Sequence, residues 1–202
     1  MNKDFDNNGF KYVDLDLPSN TLWATRNVGA DKPTDYGLYF QWGDTVGYSK
    51  DQVGKDKQFT WDDYKWNSDG TSSKFSKYKT EGVALELEDD AVNVHMGGAW
   101  HMPSPSQIQE LINETKNTWT TQDGVDGRLF TSKNNGNSIF IPAAGGAWDG
   151  SVHDFRRGGY VWSSVLSENY VGCGQGLGFC SSGIVLGDGY RNFGFSVRGV
   201  LG

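Results

Sequence analysis

Glycine is the feature of this sequence that most restricts its fold. The 28 glycines are spread along 202 residues and separate short apolar stretches. Glycine weakens the interior of helices and strands but suits tight turns, so this pattern favours many short strands joined by turns. No repeat or low-complexity linker interrupts the chain, and its length suits one core, so we expect one continuous domain over residues 1–202.

Alternating apolar and polar residues predict antiparallel strands at both ends of the chain. Lys11–Leu17 and Thr21–Thr25 flank the turn Pro18-Ser19-Asn20 and are expected to form a hairpin. The other predicted strands are Trp119–Gln122, Gly127–Ser132, Ser138–Pro142, Val161–Ser164, Gly176–Cys180, Ile184–Leu186 and Phe195–Val200. The turns expected among the first three of these are Asp123-Gly124, Asp126-Gly127 and Asn135-Gly136.

Two segments carry helix signals. Ser104–Glu114 begins with a capping serine, has Pro105 at its first helical position, and completes a capping box with Gln107. Leu85–Met96 opens with acidic residues that suit the positive end of a helix dipole, and glycines follow it. Two helices beside antiparallel sheets place the chain in the α+β class.

Residues Gly47–Lys79 form a long stretch with few helix or strand signals, which we call the polar excursion. Long loops in compact domains need anchors, and Trp61, Tyr64 and Trp66 are expected to hold this one against the core. Asp35–Trp42, just before it, is compatible with either a short helix or an irregular aromatic segment.

The charge balance excludes some classes of partner. Lysine and arginine total 18 against 25 acidic residues, giving a net charge of -7. Nucleic-acid binders and proteins that bind anionic membranes need a basic face, so neither partner is expected. No apolar run approaches the roughly 20 residues that cross a bilayer, and no signal peptide is visible in the polar segment Met1–Gly9.

Few residues have spacings that would support catalysis or metal binding. His95, His101 and His153 lie far apart, and Cys173 and Cys180 lack the spacing of a zinc site, although one bridge between them stays open. Calcium loops, nucleophile elbows and phosphate-binding glycine loops are all missing from the sequence. We therefore expect no metal, no cofactor and no catalytic residue.

The glycines of the C-terminal segment are less easily explained. Leu177 and Phe179 should face the core of a strand, which turns Gly176, Gly178 and Cys180 outward. Glycine on an exposed strand face weakens the strand and packs against nothing. Three explanations stay open: a partner's backbone approaches closely, the fold does not fix the identity of these residues, or they are ordinary loop glycines.

A series of short motifs then links the chain to a known family. Those in the first third are Tyr12-Val13-Asp14-Leu15, Leu17-Pro18-Ser19, Thr21-Leu22-Trp23-Ala24-Thr25, Asn27-Val28-Gly29-Ala30 and Trp42-Gly43-Asp44. Further along are Leu85–Ala91, Gly97–Pro103, Gly136–Gly145, Trp162-Ser163-Ser164, Arg191 and Gly194–Arg198. In this order they make the chain resemble the Fibrobacter succinogenes major paralogous domain family of gut Bacteroidetes and their phages. The resemblance covers nearly the whole chain and is weakest in the polar excursion.

The resemblance implies a C-type-lectin-like fold related to the formylglycine-generating enzymes. Some members are variable proteins of diversity-generating retroelements, whose C-terminal segment is rewritten at adenines, chiefly in asparagine codons. The variable segment would cover about residues 160–200 here. The positions implied to vary and to bind ligand are Tyr170, Gly172, Cys173, Gly176, Gly178, Cys180, Ser182, Gly183, Val185, Gly187, Asp188, Gly189, Tyr190, Asn192 and Phe193. Each is an allowed product of such rewriting, whereas Gln175 is not.

The function implied is ligand binding, as the receptor-recognising tip of a phage tail fibre or as an adhesin on a bacterial cell surface. The partner would be a bacterial surface protein or glycan, and a homo-oligomer stays open. Tyr170, Tyr190 and Phe193 would be natural anchors, with Trp148 bordering the same face. Two alternatives remain: an oxidase of the formylglycine-generating type, which needs a copper-binding cysteine pair, and a structural surface domain without its own ligand.

Overall fold

The computed structural model describes residues 5–202 and places the protein in the α+β class, as predicted. Its first half contains β1 (Phe5–Asn7), β2 (Phe10–Asp14), β3 (Leu22–Asn27), α1 (Ala91–Met96) and α2 (Pro105–Glu114). Its second half contains β4 (Thr115–Gln122), β5 (Val125–Ser132), β6 (Ser138–Pro142), β7 (Gly146–Trp148), β8 (Ser151–His153), β9 (Gly158–Leu166), β10 (Cys173–Cys180), β11 (Ile184–Tyr190) and β12 (Arg198–Leu201). Part of the N-terminal segment Met1–Gly9, where no signal peptide was predicted, lies outside the described residues. None of the helices within 5–202 is long and apolar enough to span a membrane.

The strands form separate small antiparallel sheets. Their orders are β1-β2-β3-β12, β4-β5-β6 and β9-β10-β11, with β7 and β8 as a further pair. The predicted N-terminal hairpin is confirmed, since Val13 lies opposite Trp23 and both are buried. Its first strand, however, ends at Asp14 and not at Leu17. The C-terminal strand β12 completes the first sheet, with Val200 paired to Trp23.

Helix α2 is confirmed where the local signals placed it. The Ser104 hydroxyl accepts a hydrogen bond from the Gln107 backbone N–H at 3.2 Å, and the Gln107 Oε1 accepts one from the Ser104 N–H at 2.9 Å. Ile108 and Leu111 are buried in a core that also contains Leu177 of β10. Helix α2 thus supports the sheet formed by β9, β10 and β11, which we call the C-terminal sheet.

The helix predicted over Leu85–Met96 is wrong in its first half. A single 3₁₀ turn covers Leu87–Asp89, and α1 begins only at Ala91. The reason is Asp90, whose carboxylate caps α1 by accepting from the Asn93 N–H at 3.0 Å and also accepts from the Met102 N–H at 2.8 Å. A residue whose side chain accepts such bonds ends the preceding segment and starts a new helix.

Some strand and turn predictions also change. Asp126-Gly127 is not a turn but lies inside β5, where Gly127 allows close approach of the Ile141 carbonyl. The Asp123-Gly124 turn is confirmed, with positive φ at both residues. Phe195–Val200 is not one strand, because Phe195 and Ser196 bridge to Phe40 and Val161 before β12 begins.

The polar excursion is held by its aromatic residues, as predicted. The Tyr64 hydroxyl donates to the Trp42 carbonyl at 2.8 Å, and the Trp66 indole N–H donates to the Gly43 carbonyl at 2.9 Å. Asp35–Trp42 is the irregular aromatic segment, linked by isolated bridges from Tyr39 and Phe40.

Buried tyrosines make stability sensitive to alkaline pH. The Tyr39 hydroxyl donates to the Ala144 carbonyl at 2.5 Å, and burial raises the pKa of both Tyr39 and Tyr64. An unfolded tyrosine loses its proton near about pH 10, so above that pH the folded state holds more protons than the unfolded state. Each of these tyrosines therefore makes the free energy of unfolding fall as pH rises above about 10.

We expect Tyr39→Phe to make this fall shallower. Urea unfolding across the alkaline range, for the wild type and the variant, measures the two slopes directly. Burial lowers the pKa of Arg198, and this makes the free energy of unfolding rise with pH in the same alkaline range. Because Arg198 is present in both proteins, the contribution of Tyr39 is the difference between the slopes of the wild type and the variant. Parallel slopes would show that Tyr39 does not contribute.

Candidate functional site

One face of the C-terminal sheet packs against the core through β10. Strands β10 and β11 form a hairpin, and Leu177 of β10 lies between Val161 of β9 and Leu186 of β11. Leu177 and Phe179 are buried in the core above α2, so their predicted inward orientation is confirmed. This packing fixes the sheet from below. A site can form on the part of the other face that the Phe195 and Trp162 rings do not cover.

The opposite face forms a cleft of about 190 Å³. Its floor is mostly bare backbone, because Gly176, Gly178, Gly187 and Gly189 have no side chains to fill it. Four aromatic rings line its sides, namely Trp148, Tyr160, Phe193 and Phe195. We call this side of the sheet the cleft face.

The rings around the cleft are held by contacts with one another. Trp148 stacks on Phe193 with centroids 4.9 Å apart and on His153 with centroids 4.1 Å apart. Tyr160 stacks on Phe195 at 4.8 Å. Stacked rings lose little freedom when a ligand binds, which suits a recognition surface.

Tyr160 also brings a polar group to the cleft. Its hydroxyl donates to Asp154 Oδ2 at 2.7 Å. Burial and this hydrogen bond to a carboxylate raise the pKa of Tyr160 to about 12, so it stays neutral. Tyr160 was not among the residues expected to bind ligand. It lies opposite Gly178 across the β9–β10 pair, and that pairing leaves no signal in the sequence.

Three of the glycines expected to vary have room for a side chain. A Cβ at Gly178 would have its nearest neighbour at 3.7 Å, a Cβ at Gly187 at 3.8 Å, and a Cβ at Gly183 would meet nothing within 4 Å. These distances are ordinary van der Waals contacts or open space. Larger residues can therefore replace glycine there without moving the backbone.

The other three expected to vary do not have that room. A Cβ at Gly172 would lie 2.5 Å from the Ser72 carbonyl oxygen, and one at Gly176 would lie 2.7 Å from the Val161 carbonyl oxygen. At Gly189 a Cβ would lie 2.6 Å from the Phe195 ring. The predicted alternation of packed and open positions therefore holds only in part. Gly187 is open, whereas Gly176, its partner on β10, is closed.

The remaining residues expected to bind ligand differ in exposure. Exposed are Tyr170, Ser182, Val185, Asp188 and Tyr190, and partly buried are Cys173, Cys180 and Phe193. Asn192 is only 3% exposed, and its side-chain amide donates to the Phe59 carbonyl at 3.0 Å. Asn192 therefore holds the fold together and is not exposed to a ligand, contrary to the expectation from the resemblance.

Two exposed tyrosines are supported by the polar excursion. The Tyr170 hydroxyl donates to the Ser72 carbonyl at 2.8 Å. Tyr190 packs against the edge of Trp61, with centroids 5.9 Å apart. The excursion therefore borders the candidate site, which its weak family resemblance did not indicate.

The two cysteines are free and do not form a pair. They lie at opposite ends of β10, which puts them about 23 Å apart at the usual rise per strand residue. Burial raises the pKa of Cys173 to about 11, whereas a hydrogen bond from Ser182 lowers the pKa of Cys180. The bridge left open by the sequence is not formed, and these two thiols are too far apart to bind one copper ion.

One acidic group within residues 5–202 has metal-like spacing, but a lysine already binds it. The carboxylates of Glu86, Glu88 and Asp89 lie close together. The Lys77 ammonium contacts all three, at 2.5, 3.1 and 2.6 Å. The group is an ion-pair cluster remote in sequence from the cleft.

Comparison with protein-family models, with curated proteins and with solved structures finds no match to this chain.

Proposed function

We propose that this chain is a ligand-binding, receptor-recognition protein with a C-type-lectin-like fold, and that the cleft face is its ligand-binding surface. It would act at a phage tail-fibre tip or as a bacterial surface adhesin, on a bacterial surface protein or glycan. The observation that carries the proposal is the position of the cleft. Its floor belongs to the same segment that the family resemblance implies is diversified, and aromatic rings surround it.

The two sides of the C-terminal sheet have separate roles, one packed against the core and one open at the cleft face, and this supports the proposed function. Leu177 and Phe179 hold β10 to α2, while Gly178 and Gly187 on the other side can change without touching that core. Surface substitutions away from packed features usually change the free energy of unfolding by only about ±0.5 kcal/mol. The open positions of the cleft face can therefore vary while the fold is kept.

We expect Val185→Arg to abolish binding, because it places a long charged side chain beside the cleft. Val185 is 58% exposed, so the change should leave the free energy of unfolding nearly unaltered. Val94→Arg is the matched control, since Val94 is 53% exposed and lies on α1. The measurement is binding of fluorescently labelled protein to a panel of intact bacteria and to a glycan array.

Binding that is lost in Val185→Arg and retained in Val94→Arg supports the proposal. Equal binding by both variants would place the ligand elsewhere on the molecule. A wild-type protein that binds none of the cells or glycans would favour the structural surface domain.

A further inference from the structure

The outer edge of β11 has free backbone groups. The sheet order β11-β10-β9 leaves β11 with a neighbour on one side only. The Cys180 N–H donates to the Gly183 carbonyl at 2.9 Å, so this pair next to the turn is hydrogen-bonded. Bonded pairs alternate along an antiparallel ladder, so Ile184, Leu186 and Asp188 direct their N–H and C=O groups away from β10.

This edge is also unprotected. Within residues 5–202, no backbone–backbone hydrogen bond links these three residues to a segment beyond the hairpin. Natural edge strands are usually protected by lysine, proline or a bulge, and β11 has none of these. Its one charged residue, Asp188, accepts a hydrogen bond from the Ser167 hydroxyl at 2.7 Å. The edge is therefore available for another strand.

We infer that the ligand is an extended protein segment that adds to β11 as a further strand and places one apolar ring in the cleft. The inference rests on the proposed function and specifies its ligand. A ligand residue beside Gly187 would lie on the cleft face, where the missing side chain leaves space. An apolar cavity of about 150 Å³ holds benzene, so the cleft, at about 190 Å³, suits a single ring.

The charges favour a basic segment. Between Gly159 and Phe193 the charged residues are Glu168, Asp188 and Arg191, and Arg191 is fully buried. The two exposed charged residues of this segment, Glu168 and Asp188, are therefore both acidic. Asp188 lies opposite Gln175, which is two positions from Leu177 and so shares its face of the sheet. The Asp188 side chain therefore points away from the cleft. In a ligand strand that alternates aromatic and basic residues, the rings would lie on the cleft face beside Gly187. The basic side chains would lie on the other face, near Asp188.

The first probe is a synthetic peptide of alternating lysine and phenylalanine, about six residues long like a typical strand. Matched peptides replace lysine by glutamate or phenylalanine by serine. Fluorescence anisotropy should show binding of the first peptide, weakened about tenfold or more by either replacement. On binding, amide hydrogen exchange of Ile184, Leu186 and Asp188 should slow, which a purely charge-driven contact would not cause.

The second probe is a pair of variants at one position. Asp188→Ala removes the carboxylate and keeps the outward N–H, whereas Asp188→Pro removes both. The proline variant should bind the peptide at least about tenfold more weakly than the alanine variant. Strand addition would be overturned if the peptide did not slow amide exchange of the wild-type protein. It would also be overturned if the folded alanine and proline variants bound the peptide with equal affinity. If strand addition is overturned but Val185→Arg still abolishes binding to cells or glycans, the cleft face remains the proposed ligand-binding surface. If Val185→Arg also leaves that binding unchanged, both proposals fail.

Discussion

Replacing Arg198 with methionine is expected to lower the free energy of unfolding by about 3–5 kcal/mol. Arg198 is fully buried and joins three strands through neutral acceptors. Its Nε donates to Asn27 Oδ1 at 2.9 Å, and its Nη1 and Nη2 donate to the Ala24 and Phe140 carbonyls, each at 3.0 Å. Methionine fills similar space but leaves these acceptors unpaired, at about 1–3 kcal/mol each, partly offset because no charge is buried.

Urea unfolding followed by tryptophan fluorescence measures this effect. Arg157→Met is the control, because Arg157 is exposed and its loss should change stability by no more than about 0.5 kcal/mol. A loss below about 1 kcal/mol in Arg198→Met would mean that the three acceptors find other partners or water.

The second large effect is a contrast between two glycines of one hairpin pair. Gly176→Tyr should cost about 3 kcal/mol, because its Cβ would lie 2.7 Å from the Val161 carbonyl oxygen and the backbone would have to move. Gly187→Tyr should change stability by no more than about 1 kcal/mol, since its nearest neighbour is at 3.8 Å. Tyrosine is used at both positions because it is an allowed product of the implied rewriting.

Thermal and urea unfolding of the two variants test the contrast. A large loss at Gly176 alone would show that the fold fixes part of the segment and leaves the rest free to vary. Equal losses in both variants would contradict the division of the cleft face into closed and open positions.

Local signals account for the elements that the sequence predicted well. The cap, proline and capping box of α2 lie within four residues, and the alternation of Leu177 and Phe179 lies within one strand. The start of α1 was missed because Asp90 is also held by the backbone of Met102, twelve positions away. Contacts of that range leave no periodic signal in the sequence.

The closed glycines could not be predicted for the same reason. At Gly176 the obstacle is the backbone of β9, brought near where the β9–β10 register shifts. At Gly172 it is Ser72 of the polar excursion, about a hundred residues earlier, and at Gly189 it is the Phe195 ring. The family resemblance singled out the C-terminal segment, and the tertiary packing decides which of its positions can display a side chain.

The most direct test of a diversified ligand-binding face is to sequence the DNA around the gene. We expect a near-copy of the Tyr160–Val200 coding segment beside a reverse transcriptase gene, with differences confined to adenines. Those differences should include the codons of the open positions Gly178, Gly183, Val185 and Gly187. The absence of such a copy, or differences concentrated in the codons of buried residues such as Leu177 and Phe179, would contradict it.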